Sequence, residues 1–338
     1  MHPRIARRHL LTAATAAALA TVLPTAGRAA GRAAGRVAGR AVGRAPGKAA
    51  GKSLAAEDEL TARLRALESE HRARLGVFGY DTGSGAAVRY RAGELFPMCS
   101  TFKPLAVGAV LRGGYDLGLR VRYTRDDVTA AGYAPVTGRP ENLAGGLTIA
   151  ELCAAAIEFS DNAAANLLLR LLGGPTAVTR FCRTLGDRVT RLDRWEPALN
   201  SAEPGRTTDT SSPHALARSY ARLTLGYALD PADRRLLTNW LLANTTGANR
   251  LRAGLPSAWT LADKTGTGPY GTANDIGLAR PPGRAPIVLA VLTTKAAPKA
   301  HTHANANAPD RSPAPDRNAA PDEPLIAETA ALLAAALT

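Results

Sequence analysis

Apolar residues recur with helical and then strand-like spacing where the folded part of the chain begins. Leu60, Leu64 and Leu67 lie on one face of the segment AAEDELTARLRALESEHRARL (55–75), which predicts a surface helix packed inward. The next two apolar runs, GVFGYDTG and AAVRYRAG, are joined through Gly-Ser-Gly and predict a β-hairpin. The pattern therefore predicts a helix followed by two strands.

The middle of the chain, from about 101 to 242, is mostly helical by its periodicity. Its clearest buried helices are LTIAELCAAAIEFS and NAAANLLLRLLGG. Strand-like runs return in WTLADKTGT, NDIGLARP and APIVLAVLTTK, and EPLIAETAALLAAALT predicts a closing helix. Strands at both ends predict an α+β fold, in which an antiparallel sheet flanked by terminal helices carries an inserted all-helical domain. We assign 54–97 and 243–338 to the sheet domain and 98–242 to the helical domain.

The start of the chain has the order of an export signal. Within 1–26, a basic beginning with Arg7 and Arg8 precedes a short, alanine-rich apolar stretch, which is typical of a twin-arginine signal and too short for a membrane span. The alternative is a disordered basic tail. The segment 27–53 repeats Gly-[Arg/Lys]-x-x and predicts a flexible linker, since recurrent glycine opposes helix formation. We expect a secreted or envelope-associated protein without a stable membrane anchor.

The positive charge of the chain is concentrated in residues 1–52. The net charge is +14, but the first 52 residues hold ten basic and no acidic residues, so the folded part is nearly balanced. A nucleic-acid partner is therefore not expected. The late segment 296–322 lacks apolar periodicity and predicts a disordered surface loop. Its His301 and His303 lack a third ligand, and with three cysteines and no C-x-x-C we expect neither a metal site nor a cofactor.

Candidate chemistry begins with the stretch CSTFKPLAV. If a helix starts near Ser100, Lys103 follows one turn later, where its amine can reach the serine hydroxyl. A lysine in a low-dielectric cleft can lose its proton and act as a base. Alone, this S-x-x-K spacing is weak evidence.

Two further motifs follow in order. FSDNAAANLLL contains Ser-Asp-Asn at 160–162, and ADKTGTGPYGTAND contains Lys-Thr-Gly at 264–266. From about residue 54 onward, the chain resembles the class A β-lactamases and penicillin-binding enzymes, which share these three motifs. RLDRWEPALN is similar to the omega loop of class A β-lactamases, in which Glu196 and Asn200 would hold the hydrolytic water. Arg194 and Asp209 match the ion pair that fixes that loop.

The resemblance implies a role for each motif residue. Ser100 would attack the lactam carbonyl with Lys103 as base, and Ser160 would pass a proton to the leaving nitrogen. Backbone N–H groups of Ser100 and Thr267 would form the oxyanion hole. The remaining residues would bind the substrate or position water: Asn162, Lys264, Thr265, Gly266, Thr267, Arg250, Tyr133 and Asn200.

The cysteines depart from familiar members of the family. Cys153 matches half of a common disulfide, but its partner position holds Val107. Cys99 matches half of the bridge found in carbapenem-hydrolysing members, whose other half falls at Gly268. We therefore expect free thiols, which suits a chain that folds in the reducing cytoplasm before export.

The sequence favours a monomeric serine β-lactamase that confers antibiotic resistance by hydrolysing penicillins and cephalosporins. A D,D-peptidase is the first alternative, and it would be favoured if Glu196 were absent. A penicillin-binding sensor domain is the second, and that class is expected to carry a transmembrane anchor.

Overall fold

The computed structural model describes residues 48–295 and 315–338. The predicted export signal, most of the repeat segment, and His301 and His303 lie outside these ranges. A five-stranded antiparallel sheet forms the centre, with the strand order β2-β1-β9-β8-β7. Its strands are β1 (Arg74–Asp81), β2 (Ala87–Tyr90), β7 (Thr260–Gly268), β8 (Thr272–Arg280) and β9 (Ile287–Thr294).

Strand alternation gives the sheet two buried faces. On β1, Val77 joins a core formed with the terminal helices, whereas the next residue, Phe78, joins the core shared with the helical domain. β7 forms one edge of the sheet and pairs only with β8 among the strands described. The predicted α+β fold with a sheet and terminal helices is confirmed.

The first helix, α1 (Lys48–Glu70), ends earlier than the sequence predicts. It begins within the predicted linker, and its Leu64 is fully buried against the sheet, as the apolar spacing indicates. The prediction that the helix continues to Leu75 is wrong, because Arg72 adopts a left-handed backbone with φ of 47°. Leu75 instead belongs to β1, where it pairs with Thr293 of β9.

The inserted domain is helical and contains both predicted buried helices. Thr148 and Glu151 form a capping box at the start of α5, and Asp161 caps α6, which ends at left-handed Gly173. The helices of the insertion and the one that follows it are α2 (Lys103–Arg112), α3 (Arg125–Ala131), α4 (Pro140–Gly145), α5 (Ile149–Glu158), α6 (Asn162–Leu172), α7 (Thr176–Thr184), α8 (Pro213–Thr224), α9 (Pro231–Leu242) and α10 (Leu251–Gly254). The two-residue strands are β3 (Phe96–Pro97), β4 (Arg120–Val121), β5 (Leu147–Thr148) and β6 (Thr210–Ser211).

The end of the predicted late loop is ordered. The carbonyls of Arg317 and Ala319 accept hydrogen bonds from the N–H groups of Tyr270 and Gly271, each at 3.0 Å. Asp322 then caps the closing helix, α11 (Glu323–Leu337). The prediction of disorder therefore fails for 315–322, whereas 296–314 lies outside the described residues.

All three cysteines, Cys99, Cys153 and Cys182, are buried and free. Burial raises the pKa of each thiol, to about 12 for Cys182. Among the helices of 48–295 and 315–338, none is long and apolar enough to cross a bilayer.

Candidate active site

The three sequence motifs meet in a cleft between the edge strand β7 and the helical domain. The cleft has a volume of about 370 Å³. Its lining includes most of the predicted site residues: Ser100, Tyr133, Ser160, Asn162, Asn200, Arg250, Thr265 and Thr267. Residues separated by more than 160 positions therefore share one cavity.

Ser100 lies in a 3₁₀ turn, Cys99–Phe102, and α2 begins only at Lys103. The tighter turn still places residues three apart on one side. Cys99 has a left-handed φ of 46°, a conformation that is costly for a residue with a side chain. Gly266 allows β7 to approach this turn, because a Cβ there would lie 2.7 Å from the Met98 carbonyl oxygen.

The ammonium of Lys103 is fully buried and has several partners. Its Nζ donates to the Ser160 carbonyl at 2.7 Å and to Asn162 Oδ1 at 2.8 Å, and lies 3.3 Å from both Ser160 Oγ and Glu196 Oε1. Among the described residues, Ser160 and Asn162 accept the hydrogen bonds of Lys103, and Ser100 Oγ does not. Burial lowers the pKa of Lys103 while the nearby Glu196 carboxylate raises it, and burial has the larger effect.

A second buried amine reaches the same serine. Lys264 Nζ donates to Ser160 Oγ at 3.0 Å and to the Thr265 carbonyl at 2.9 Å. Burial, and then the positive charge of Lys103, holds the pKa of Lys264 well below its usual range. Ser160 Oγ therefore lies between two amines that are both biased toward losing a proton.

Asp161 fixes the loop that carries Tyr133. Its carboxylate accepts hydrogen bonds from the N–H groups of Val136 and Thr137, both at 2.9 Å. Asn162 N–H donates to the Tyr133 carbonyl at 2.8 Å. The Tyr133 side chain remains 58% exposed at the mouth of the cleft, where it can contact a ligand.

Glu196 is buried beside Asn200. Asn200 Nδ2 donates to Glu196 Oε2 at 2.5 Å. Asn166 on α6 forms two hydrogen bonds of 3.0 Å with the backbone of Glu196. Glu196 Oε1 and Asn200 Oδ1 are both buried. Among the described residues, Glu196 Oε1 has only its ion pair with Lys103 Nζ at 3.3 Å, and Asn200 Oδ1 accepts no hydrogen bond. Two such acceptors fit a small donor such as water.

The loop that carries Glu196 is closed by an ion pair. Arg194 Nε lies 2.5 Å from Asp209 Oδ2, and Asp209 Oδ1 accepts the N–H groups of Asp193 and Arg194 at 2.7 and 3.0 Å. Asp209 is buried and has a left-handed φ of 56°. Its carboxylate therefore joins the two ends of the loop.

We expect Asp209→Asn to loosen this loop. Asparagine tolerates the left-handed backbone, so the change removes the charge with little strain. The free energy of unfolding should fall by about 2–4 kcal/mol, because Arg194 loses its buried partner. Thermal unfolding measures this loss, and Asp230→Asn, at an exposed helix start, is the control. Equal stability of the two variants would contradict the role of Asp209.

Arg250 is only 3% exposed, so it is not a solvated surface charge. Its Nη1 donates to the carbonyls of Gly266 and Asn274 at 2.8 and 2.9 Å, and Nη2 donates to Thr267 Oγ1 at 2.7 Å. Its Nε lies 3.0 Å from Glu323 Oε1 at the start of α11. The guanidinium therefore supports β7 and also borders the cleft.

Two buried carboxyl groups lie behind Lys264. Asp263 accepts hydrogen bonds from Arg252 Nη2 at 2.6 Å and from Asn244 Nδ2 at 2.5 Å. Burial raises the pKa of Asp263 and of Asp275, and the negative charge of Asp263 raises the pKa of Asp275 further. A negative charge on either carboxyl group raises the pKa of Lys264.

Gly268 lies directly against Cys99 and the loop of Glu196. A Cβ at Gly268 would lie 2.7 Å from the Asn200 carbonyl oxygen and 2.9 Å from Cys99 Sγ. Gly268, where the disulfide partner of Cys99 would fall, is thus adjacent to Cys99 in space.

Gly268→Ala should displace Asn200 and slow turnover. The added methyl group cannot fit against a backbone oxygen, so the loop must shift. We expect kcat to fall by about 10- to 100-fold, since small misplacements of catalytic groups are costly. Steady-state kinetics test this, with Gly93→Ala as the control because that site is open. Unchanged kcat would mean that the loop absorbs the methyl group without moving Glu196.

Sequence reasoning missed several residues that complete the site. Thr246 Oγ1 lies 2.5 Å from Thr265 Oγ1 and lines the cleft. Asn166 was detectable as a polar residue between the apolar runs AAA and LLL of the helix NAAANLLLRLL. Glu323, the partner of Arg250, lies 73 positions away along the chain, and no local pattern indicates it.

Comparisons with known proteins agree with this geometry. A model of the "Beta-lactamase enzyme family" matches residues 59–311. A protein named beta-lactamase from Kitasatospora aureofaciens is 57% identical over 288 residues, covering 84% of this chain and 86% of the relative.

Two solved structures are similar in fold. The beta-lactamase from Streptomyces albus G has a TM-score of 0.76 at 58% identity, covering 83% of this chain and all of that one. The class A beta-lactamase from Clostridium kluyveri has a TM-score of 0.73 at 40% identity, covering 81% and 97% of the two chains.

Proposed function

Because the chain belongs to the class A serine β-lactamases, we propose that it hydrolyses the lactam amide of penicillins and cephalosporins through an acyl-enzyme on Ser100. The observation that carries this proposal is the environment of Lys103. One buried amine lies 3.3 Å from both Ser160 Oγ and Glu196 Oε1, so it links the groups proposed for acylation and for deacylation.

In the acylation step, neutral Lys103 accepts the proton of Ser100 Oγ, and Oγ bonds to the lactam carbonyl carbon. The oxyanion receives hydrogen bonds from the N–H groups of Ser100 and Thr267. The C–N bond then breaks, and Ser160 Oγ donates its proton to the leaving nitrogen. Lys103 returns a proton to Ser160, which balances the step. The lowered pKa of Lys103 supports its role as the base.

In the deacylation step, Glu196 removes a proton from a water molecule, which attacks the ester carbonyl. The C–O bond to Ser100 breaks, and Glu196 gives up the proton that it took from water so that the serine oxygen is protonated again. The adjacent buried acceptors Glu196 Oε1 and Asn200 Oδ1 support this position for the water. The product is a ring-opened acid without antibiotic action.

Substrate recognition is assigned to the rest of the cleft. Lys264, Thr265 and Arg250 supply charge and hydrogen-bond donors for the substrate carboxylate. Asn162 would bind the acylamido side chain, although its Oδ1 already accepts a hydrogen bond from Lys103. Tyr133 would stack on the substrate at the cleft mouth.

Hydrolysis of a chromogenic cephalosporin by the purified chain tests the proposal. We expect steady turnover that is lost in Ser100→Ala. A single burst that leaves a stable acyl-enzyme would instead favour a penicillin-binding sensor. Release of D-alanine from a cell-wall peptide without lactam turnover would favour a D,D-peptidase.

A further inference from the structure

A second cavity lies far from the active site along the sheet. It has a volume of about 540 Å³ and opens between α8 and the strands β2, β1 and β9. The active-site cleft borders β7, at the opposite edge of the strand order. A cavity of this volume is within the range of small-molecule sites.

The floor of the cavity is apolar because small residues of α8 face the sheet. Ala217 and Ala221 lie four positions apart on one face of α8, and Leu225 continues that face. They lie opposite Phe78 of β1 and Val288 of β9. Alanine is too small to fill the space between a helix and a sheet, so a gap remains.

The rim of the cavity is cationic. Arg89 of β2 pairs across the strands with Phe78, and its guanidinium lies 5.6 Å from the centre of that ring. Arg218 and Arg222 lie four positions apart on α8, a like-charge spacing that destabilises a helix slightly. Within the described residues, none of the three arginines forms an ion pair or a side-chain hydrogen bond, and no acidic residue lines the cavity.

The imidazole of His214 lies close to these positive charges. His214 packs edge-on against Phe78, with ring centres 4.8 Å apart. Burial, and then the charges of Arg218 and Arg89, lower its pKa. Asp187 opposes this effect, but its carboxylate is already bound by Thr190 and Ser219 side chains and by backbone N–H groups.

We propose that this cavity binds a small anionic amphiphile, namely a single alkyl chain that ends in a carboxylate or a similar anion. The chain would occupy the apolar floor between α8 and β1, and the anionic head would lie between Arg89 and Arg218; the guanidinium of Arg222 packs against Gly186 instead. Guanidinium groups suit carboxylates because they offer two parallel donors. The same chemistry occurs in free alkyl acids and in anionic lipids, and the small volume of the cavity favours the free molecule.

Isothermal titration calorimetry with decanoate, below its micelle concentration, tests the site on the full chain. We expect one molecule to bind each wild-type protein. The floor-filling variant Ala221→Leu and the double variant Arg89→Gln/Arg218→Gln should each weaken binding by about tenfold or more. Arg235→Gln, an exposed arginine on α9, is the matched control and should change affinity less than twofold. Circular dichroism and penicillin hydrolysis should be unchanged in all three variants, since none of these residues belongs to the active site.

Four results would overturn the proposal. Decanoate could fail to bind at millimolar concentration, or it could bind equally to wild type and to both cavity variants. Decanol could bind as tightly as decanoate, which would remove the role of the arginines. Binding to phosphatidylglycerol vesicles without binding of decanoate would place the ligand on a lipid surface rather than in the cavity.

Discussion

Replacing Glu196 with alanine is expected to trap the acyl-enzyme on Ser100. Acylation continues, because the buried amine of Lys103 keeps its bonds to Ser160 and Asn162. Deacylation should slow by about 10²- to 10⁴-fold, the usual contribution of a general base. In this variant Asn200 also loses its acceptor, so the position proposed for water is disturbed as well.

Intact-protein mass spectrometry after mixing with a penicillin measures the effect. We expect a stable adduct on the Glu196→Ala protein and none on wild type after turnover. Glu203→Ala is the matched control, because that carboxylate belongs to the same loop but contacts Ser201 and Arg206. Normal turnover in Glu196→Ala without an adduct would remove Glu196 from the mechanism.

Replacing Arg250 with alanine should lower both catalysis and stability. The loss of a donor to the substrate carboxylate should reduce transition-state binding by about 1.5–3 kcal/mol. The same change leaves the carbonyls of Gly266 and Asn274 and the carboxylate of Glu323 without their partner. Because Glu323 is 33% exposed and water can solvate its carboxylate, the main loss comes from the two buried carbonyls, which should cost about 1–3 kcal/mol of folding free energy.

The two effects are separated by measuring kcat/KM per folded molecule beside thermal unfolding. Arg252→Ala is the control, because this arginine is 41% exposed and bonds Asp263 outside the cleft. We expect Arg252→Ala to lower stability while kcat/KM for a penicillin stays within a few-fold. Unchanged kcat/KM in folded Arg250→Ala would end its role in binding, and an unchanged melting temperature would contradict its structural role.

The residues proposed to carry the chemistry were predictable because short motifs hold them. Ser100 and Lys103 are three apart in a single turn, and Lys264 and Thr265 are adjacent on one strand. The apolar spacing likewise predicted α6 and the late strands. Local pattern therefore identified the motifs and the elements that bear them.

The contacts that hold these residues in place come from distant parts of the chain. Arg250 forms an ion pair with Glu323, and Asn166 forms hydrogen bonds with the backbone of Glu196. Both contacts join residues of different elements. The left-handed backbones at Cys99 and Ser160 likewise depend on the surrounding contacts. The end of α1 was missed for a similar reason, since pairing with β9 takes Leu75 into a strand. Tertiary contacts outweigh local periodicity at these points.

The pairing of β1 with β9 also determines when the enzyme can form. Arg74 pairs with Thr294, and the whole helical insertion lies between them in sequence. A ribosome must therefore release the chain as far as Thr294 before the central strands can meet, and closing so long a loop makes folding slow. Until then the β1–β2 hairpin has no central neighbour, and a lone hairpin is at best marginally stable in water. Hydrolytic activity should thus appear late in synthesis and in a single step, after β9 has joined the sheet.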